Sequence, residues 1–328
     1  MVRFGIVGCG GIAKKFARDL KYVEEAIITA VASLDMEKAY EYQKEYDAEH
    51  VFFNYYDMAK SDVIDAVYIA LPHNMHKDTA VIFIKNQKHV LIEKPISVNE
   101  VELQEMIKVA KDNHVLLMEA MWTAFLPATT YVKKIIDNHD LGSLLEAKLS
   151  FGYKMPSDYP DKGRLINPNL AGGSLLDLGI YPVSFMNLIK QKPIANIKAK
   201  ADFGDKEVDL KTVVNITDID KSTFTLVSSL KHNLDNDALF IFQKGVIKMV
   251  NFHRCNKVYV NEYEIDLPFE GEGFVHEIRS FVSNIINKET ENQIMSYNHN
   301  LETMRIVDRV RTDIGLKYPF ESDIKGGI

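Results

Sequence analysis

Apolar and polar positions follow two different patterns along the chain. At the start, Val2-Arg3-Phe4-Gly5-Ile6-Val7 reads as a short buried strand, and Ala13, Phe16, Ala17 and Leu20 then recur at helical spacing. Ala26-Ile27-Ile28-Thr29-Ala30-Val31-Ala32 reads as a second strand, and a helix over about 36–46 follows it. The alternation continues with a strand over 63–70 and a helix over 75–85, then a strand over 88–92 and a helix over 98–112. A last strand covers 115–118. Strands that alternate with helices pair in parallel through right-handed crossovers. The pattern predicts a doubly wound sheet whose ligand lies at the carboxyl ends of the strands.

After Trp122 the pattern changes. A helix over 127–138, a strand over 144–153, a polar loop over 154–170 and a helix over 174–189 come first. From 194 to 260, strand-like runs succeed one another with short turns at 233–236 and 243–245, which predicts a largely antiparallel sheet. Helices over 274–286 and 300–312 close the chain. The expected fold class is α/β. An N-terminal Rossmann domain, doubly wound and parallel, covers 1–121. A C-terminal α+β domain with a large, mostly antiparallel open sheet covers 122–328, its last helices free to pack back on the first domain.

Composition narrows the partners. The 328 residues are 46% hydrophobic and 26% charged, the balance of a soluble globular protein. A formal net charge of −7 weighs against a nucleic-acid partner. No apolar run reaches membrane-spanning length, and the N-terminus enters a strand without a signal-peptide pattern. With only two cysteines, Cys9 and Cys255, the expected setting is a reduced cytoplasmic compartment.

Three constellations carry chemistry. The first is Gly8-Cys9-Gly10-Gly11-Ile12-Ala13, a G-x-G-x-x-A turn between a strand and a helix. Gly8 permits the tight turn, Gly10 lets a pyrophosphate approach the backbone, and Ala13 lets the helix pack close. The helix N-terminus then offers N–H groups and partial positive charge to phosphates. The second is Glu93-Lys94-Pro95, at the carboxyl end of a buried strand. A lysine there can hold a substrate hydroxyl and lower the pKa of a neighbouring acid; a solvated loop lysine fits the spacing equally well. The third is Asp177-Leu178-Gly179-Ile180-Tyr181, where i and i+4 share a helical face. A tyrosine with a reference pKa of about 10 becomes a useful acid or base beside an ammonium. A buried tyrosine with an exposed aspartate is the simpler alternative. Gly172-Gly173-Ser174 ahead of it supplies a flexible lead and an N-cap. His73 and His76 stand near a crossover mouth, without the partners a metal needs, so no metal is expected. Trp122 either walls a substrate site or fills core, Phe151 and Tyr153 read first as sheet packing, and the loop around Lys162 and Arg164 reads first as solvated.

In that order, these segments resemble the glucose–fructose oxidoreductase / inositol dehydrogenase (Gfo/Idh/MocA) family over nearly the whole length, together with Leu71-Pro72-His73-Asn74-Met75-His76. Met118 to Thr123, Gly172 to Pro182 and Gly273-Phe274 are most similar to its dimeric trans-dihydrodiol dehydrogenase and D-xylose dehydrogenase branch. The resemblance implies an NAD or NADP cofactor. It implies cofactor contacts from Gly8, Gly10, Gly11, Ile12, Ser33, Leu34, Asp35, Lys38, Leu71, Pro72, His73, His76, Glu93, Lys94 and Trp122. Lys94 would touch the substrate hydroxyl and the nicotinamide ribose, across a cis Lys94–Pro95 bond. Tyr181 would donate or accept the proton and Asp177 would assist. Trp122, Phe151, Tyr153 and Arg164 are the candidate substrate contacts. The second domain's open sheet would pair two subunits. NADP-using members of the branch resemble Ser-Arg-Asp where this chain has Ser33-Leu34-Asp35, so the phosphate clamp is missing. Asp35 at the ribose then favours NAD slightly, while Lys38 is the cation that could reach a 2′-phosphate.

The expected activity is hydride transfer between a nicotinamide and a secondary alcohol or carbonyl of a sugar, polyol or cyclic diol. Two rivals differ in class. One is a glycoside hydrolase that recycles bound NAD, distinguished by an unchanged amount of free NAD(P)H. The other is a non-catalytic dinucleotide sensor, which would need neither Lys94 nor Tyr181.

Overall fold

Apolar strands and amphipathic helices alternate through the first part of the chain. The elements are β1 (Val2–Val7), α1 (Gly11–Leu20), β2 (Ala26–Ala32), α2 (Met36–Tyr46), β3 (His50–Phe52), α3 (Tyr55–Lys60), β4 (Ala66–Ile69), α4 (His76–Lys85), β5 (His89–Glu93), α5 (Glu100–Asn113) and β6 (Leu117–Ala120). There follow α6 (Pro127–Asp137), β7 (Leu144–Gly152), α7 (Ile180–Ile189), β8 (Ile194–Phe203), β9 (Asp209–Asp218), β10 (Thr223–Ser229), β11 (Ala238–Phe242), β12 (Gly245–Met249), β13 (Lys257–Val260), β14 (Tyr263–Asp266), α8 (Val275–Ile286) and α9 (Tyr297–Ile314). The structure is a computed structural model and describes residues 1–321. The chain divides into two units: Met1–Pro127 with Pro268–Leu301, and Ala128–Leu267 with the chain from Glu302 onward.

In the first unit, six parallel strands lie in the order β3-β2-β1-β4-β5-β6. This is the doubly wound order, and its direction reverses between β1 and β4. Phe4, Ile6 and Val7 of β1 are fully buried because helices cover both faces of the sheet. Phe16 of α1 stacks on Tyr68 of β4 with centroids 3.7 Å apart, and Phe281 of α8 packs on Phe4 at 5.8 Å. Gly8 ends β1 at φ +95°, where a Cβ would lie 2.4 Å from the Ala70 carbonyl oxygen. Glycine is required there twice over, by conformation and by space.

The second unit is built on eight strands in the order β14-β13-β12-β11-β7-β10-β9-β8. Only β7 and β10 pair in parallel; the other neighbours are antiparallel. Along β10 and β11 fully buried and half-buried positions alternate, so one face meets the helices and the other is left more open. The two sheets are those expected from the strand pattern. Among the described residues, no helix is long and apolar enough to cross a membrane.

Three local differences from the sequence reading have simple causes. β3 and α3 are three and six residues long, too short to show a period. The helix expected over 174–189 starts as a π turn, Leu175–Gly179, before α7 begins. Ser174 is not the side-chain cap of that helix. Its hydroxyl donates to Asp209 on β9 at 2.7 Å, and Asp209 itself accepts the Leu175 N–H at 2.7 Å. A buried carboxylate from the sheet therefore takes the capping role, which is favourable at a helix N-terminus.

Candidate functional site

The glycine turn leaves the start of α1 open. A Cβ added at Gly10 or Gly11 would meet nothing within 4 Å, and no side chain caps the helix. First-turn N–H groups without a side-chain acceptor, beside empty space, are what a pyrophosphate needs, so the residues fit a dinucleotide. Ile12 is partly exposed on the same turn. Cys9 lies within it, and burial pushes its thiol up to about 11, so it stays protonated at neutral pH.

At the end of β2, the Ser33 Oγ accepts the Asp35 N–H at 3.1 Å. One Asp35 oxygen caps α2 by accepting the Lys38 N–H at 3.2 Å, and the other meets the Lys38 ammonium at 2.9 Å. These bonds from Lys38 hold the Asp35 carboxyl below the usual carboxylate range. Leu34 between them is 70% exposed and offers no charge.

The segment Leu71-Pro72-His73 and the turn Glu93-Lys94-Pro95 follow β4 and β5 at their carboxyl ends. The Lys94–Pro95 bond is cis. The ring of His76, fully buried, lies between the two segments. Its Nδ1 is 2.8 Å from the Pro95 oxygen and its Nε2 2.9 Å from the Leu71 oxygen. His76 thus ties two loops together rather than projecting from one. Burial lowers its pKa to about 4. His73 is buried beside it, ring centroids 5.8 Å apart. Behind the turn, Tyr68 donates to Glu93 at 2.5 Å and Glu119 accepts the Ile96 N–H at 2.9 Å. Lys94 itself is half-buried. Trp122 stacks on Phe274 with centroids 4.8 Å apart, and a Cβ at Gly273, where φ is +112°, would lie 2.7 Å from the indole. The Gly273-Phe274 pair is therefore the seat of Trp122.

In the second unit, Asp177 on the π turn and Tyr181 on α7 are both buried. π turns inside helices concentrate at functional sites. Arg164 reaches Asp177 with Nη1 2.8 Å from Oδ1. Leu165 beside it is buried with Leu178 and Leu230, and Phe151, Tyr153 and Tyr159 pack against that cluster. The loop around Arg164 is thus anchored rather than merely solvated, because an ion pair and a leucine hold it. Burial, with Asp177 nearby, pushes the Tyr153 phenol up to about 12. Phe151 meets the Tyr181 ring edge-on at 5.2 Å and stacks on His253 at 4.1 Å. His253 had no signal in the sequence: it sits in a short turn, Phe252–Arg254, whose neighbours come from β7 and α7. The structure therefore gathers Phe151, Tyr153, Arg164, Asp177 and Tyr181 in one unit, and the glycine turn, Ser33 to Lys38, Leu71 to His76, Glu93, Lys94 and Trp122 in the other. Among the described residues, no group of three or more His, Cys, Asp or Glu side chains is placed to hold a metal ion.

The six-strand order and the open glycine turn define an NAD(P)-binding oxidoreductase of the Rossmann class. Residues 2–121 match the oxidoreductase family with NAD-binding Rossmann fold, and residues 129–248 match its C-terminal domain. The chain belongs to the Gfo/Idh/MocA family. It is 32% identical over 328 residues to scyllo-inositol 2-dehydrogenase (NADP+) of Bacillus subtilis, covering 97% of this chain and 99% of that one. It is 28% identical over 335 residues to human trans-1,2-dihydrobenzene-1,2-diol dehydrogenase, covering 97% and 98%. Among solved structures, the 3-ketoreductase KijD10 from Actinomadura kijaniata, in complex with NADP and TDP-benzene, shares the fold. The TM-score is 0.87 at 23% identity, over 95% of this chain and 98% of that one.

Proposed function

We propose that the protein oxidises a secondary alcohol of a cyclic polyol or diol, or reduces the matching ketone, with NAD as the favoured cofactor. The relatives named for an inositol and for a dihydrodiol share that substrate chemistry: a ring carbon bearing a hydroxyl next to another. The nicotinamide, when bound, supplies the hydride acceptor or donor. The chain's own residues handle the oxygen and its proton. Lys94, at the carboxyl end of β5, holds the substrate hydroxyl by its ammonium. Tyr181 takes or returns the hydroxyl proton at its Oη. Asp177 orients the tyrosine and substrate, with Arg164 fixing Asp177. Trp122, Phe151 and Tyr153 supply apolar wall. Residues 1–121 carry the cofactor and Lys94, and 122–328 the other substrate contacts, within a reduced cytoplasmic setting.

The observation that carries the cofactor half of this reading is the open, uncapped start of α1. The preference for NAD rests on Leu34, which brings no cation to the 2′ position, and on Lys38, which is held by Asp35. Titration with NADH and with NADPH, followed by nicotinamide fluorescence, should show tighter binding of NADH. The Lys38→Ala variant should change that order little. Tighter NADPH binding that is lost in K38A would instead make Lys38 the phosphate ligand. Turnover of inositols and trans-dihydrodiols should change the amount of free NADH in step with product. Product formed while free NADH stays constant would overturn the dehydrogenase reading.

The open face of the eight-stranded sheet is the surface on which two copies would pair. Lys148, Lys248, Asp235 and Asp237 border a depression there whose lining includes Val227 and Leu239. Charges of both signs on one patch can complement themselves across a two-fold axis. A single species of twice the chain mass in light scattering is the expected result.

A further inference from the structure

Four carboxyl groups buried in the first unit are electrostatically linked through Glu277. Asp19 comes from α1, Glu93 from the end of β5, Glu119 from β6 and Glu277 from α8, and none is more than 7% exposed. Their hydrogen bonding is unequal. Asp19 accepts the N–H groups of Glu272 and Phe274, at 2.9 and 2.8 Å. Glu93 accepts from the Tyr68 hydroxyl and Glu119 from the Ile96 amide. Glu277 is fully buried, and neither of its oxygens has a hydrogen-bond partner in the structure. Burying an ionised carboxylate without a hydrogen-bond donor is costly, and burial raises the Glu277 carboxyl well above its ordinary value.

Like charges in one buried site cannot all ionise, and each negative group makes the next ionisation harder. The charges of Asp19, Glu93 and Glu119 act on Glu277, and those of Glu93 and Glu277 act on Tyr68 of β4, which also donates to Glu93. The cation that acts on Glu119 is Lys94, on the turn itself. The Ile96 amide that Glu119 holds is two residues from Lys94.

We propose that Glu119 is the positioning residue of the Glu93-Lys94-Pro95 turn, and that its crowded carboxyl environment makes its grip on the turn respond to pH. The inference rests on the reading that Lys94 touches cofactor or substrate. The sign follows from the chemistry. A carboxylate accepts the Ile96 N–H in a charge-assisted bond, roughly twice as strong as the bond to a neutral acid. Burial, with Glu93 nearby, raises the Glu119 carboxyl to about 7. Above that pH the turn is gripped and the charge beside Lys94 is present; below it the grip weakens. Glu277 is a neighbour whose own carboxyl is raised well above the ordinary value by burial and by Glu93, Glu119 and Asp19.

The test has two readouts on the whole protein. The first is the carboxylic C=O infrared band followed from pH 5 to 9, with NADH and NADPH affinity measured over the same range. Wild type should lose one protonated carboxyl near pH 7, distinct from the Asp209 carboxyl, which burial raises to about 6, and affinity for the better cofactor should rise about fivefold through the step near 7, the difference between a neutral and a charge-assisted bond. Glu119→Gln should abolish the infrared step near pH 7 while the lower one of Asp209 remains, and should abolish the affinity step, holding the affinity at its acid-side value throughout. An infrared step near pH 7 or an affinity step that survives in E119Q, or a wild-type affinity that is flat while the carboxyl near 7 titrates, overturns the inference. The second readout separates this from the functional reading: failure of wild type to bind either cofactor at any pH overturns the role of Lys94, and the positioning role with it, while the infrared step still reports the carboxyl. Glu277→Gln, which keeps a neutral polar group, should retain the Glu119 step; loss of that step would show that Glu277 carries the titrating proton instead.

Discussion

Replacing Tyr181 by phenylalanine should lower kcat by about 10²- to 10⁴-fold, the range that one positioned acid or base contributes. The affinity for NADH should remain as in wild type. The substitution is a clean one because the tyrosine ring already has an apolar seat: it is 8% exposed and meets Phe151 edge-on at 5.2 Å. Phenylalanine keeps that packing and removes only the oxygen. A loss confined to kcat, with binding intact, is the mark of an interaction that acts on the reacting proton. The pH profile should change too, because the ionisation assigned to the hydroxyl disappears with it. If Tyr181 only packs α7 against Phe151, Y181F will turn over like wild type and the acid–base assignment is wrong. Lys94→Met offers a contrast. It removes a charge that is meant to touch the substrate hydroxyl and the ribose, so it should affect cofactor affinity as well as kcat. Two variants that differ in this way locate the proton at Tyr181 and the binding charge at Lys94.

The first unit was largely legible in the sequence because its order is local. A buried parallel strand reads as an apolar run, a covering helix as a 3.6-residue period, and their alternation fixes the topology. β1, β2 and α2 fall on the residues the pattern marks. β3 and α3 escaped because a three-residue strand and a six-residue helix carry too few positions for any period. Site residues were legible where a motif constrains the backbone, as at Gly8, where the left-handed turn and the approach of Ala70 leave no choice of residue. They were not legible where the role depends on a partner far along the chain. Asp209 caps a helix start that lies 34 residues earlier, and Glu119 holds an amide 23 residues earlier. Neither looks different, in sequence, from any aspartate or glutamate at a strand end. His76 falls between the cases: its motif was visible, but its position between the oxygens of Leu71 and Pro95 makes it a tie between loops.

Asp209→Ala should destabilise the second unit by about 3 kcal/mol, since it leaves buried donors without an acceptor at about 1–3 kcal/mol each. The carboxylate accepts from the Ser174 hydroxyl, the Leu175 amide and the Thr212 hydroxyl, each at 2.7 Å. Ser174 has a second neighbour in the Ser228 hydroxyl at 3.0 Å, so the Leu175 amide and the Thr212 hydroxyl carry most of the loss. In a thermal melt that is a fall in Tm of about 10 °C. Burial raises the Asp209 carboxyl from 3.8 to about 6, in spite of those three donors. The folded state therefore binds a proton more tightly than the unfolded chain. The stabilisation this gives is complete below the unfolded value and is lost as pH rises through the folded one. Comparison with Asp209→Asn isolates it. Asparagine keeps one acceptor oxygen and cannot ionise, and its amide nitrogen replaces Oδ1, an atom with no hydrogen-bond partner in the structure. The difference in stability between wild type and D209N should thus move in favour of wild type as pH falls from 6 to 4, while D209A remains the least stable of the three throughout. A difference that does not change over that interval would mean that Asp209 is ionised in both states. The same substitutions reach activity through geometry. The π turn that Asp209 caps carries Asp177 and leads into Tyr181, so D209A should lower kcat more than it raises KM, even at a temperature where the protein is folded.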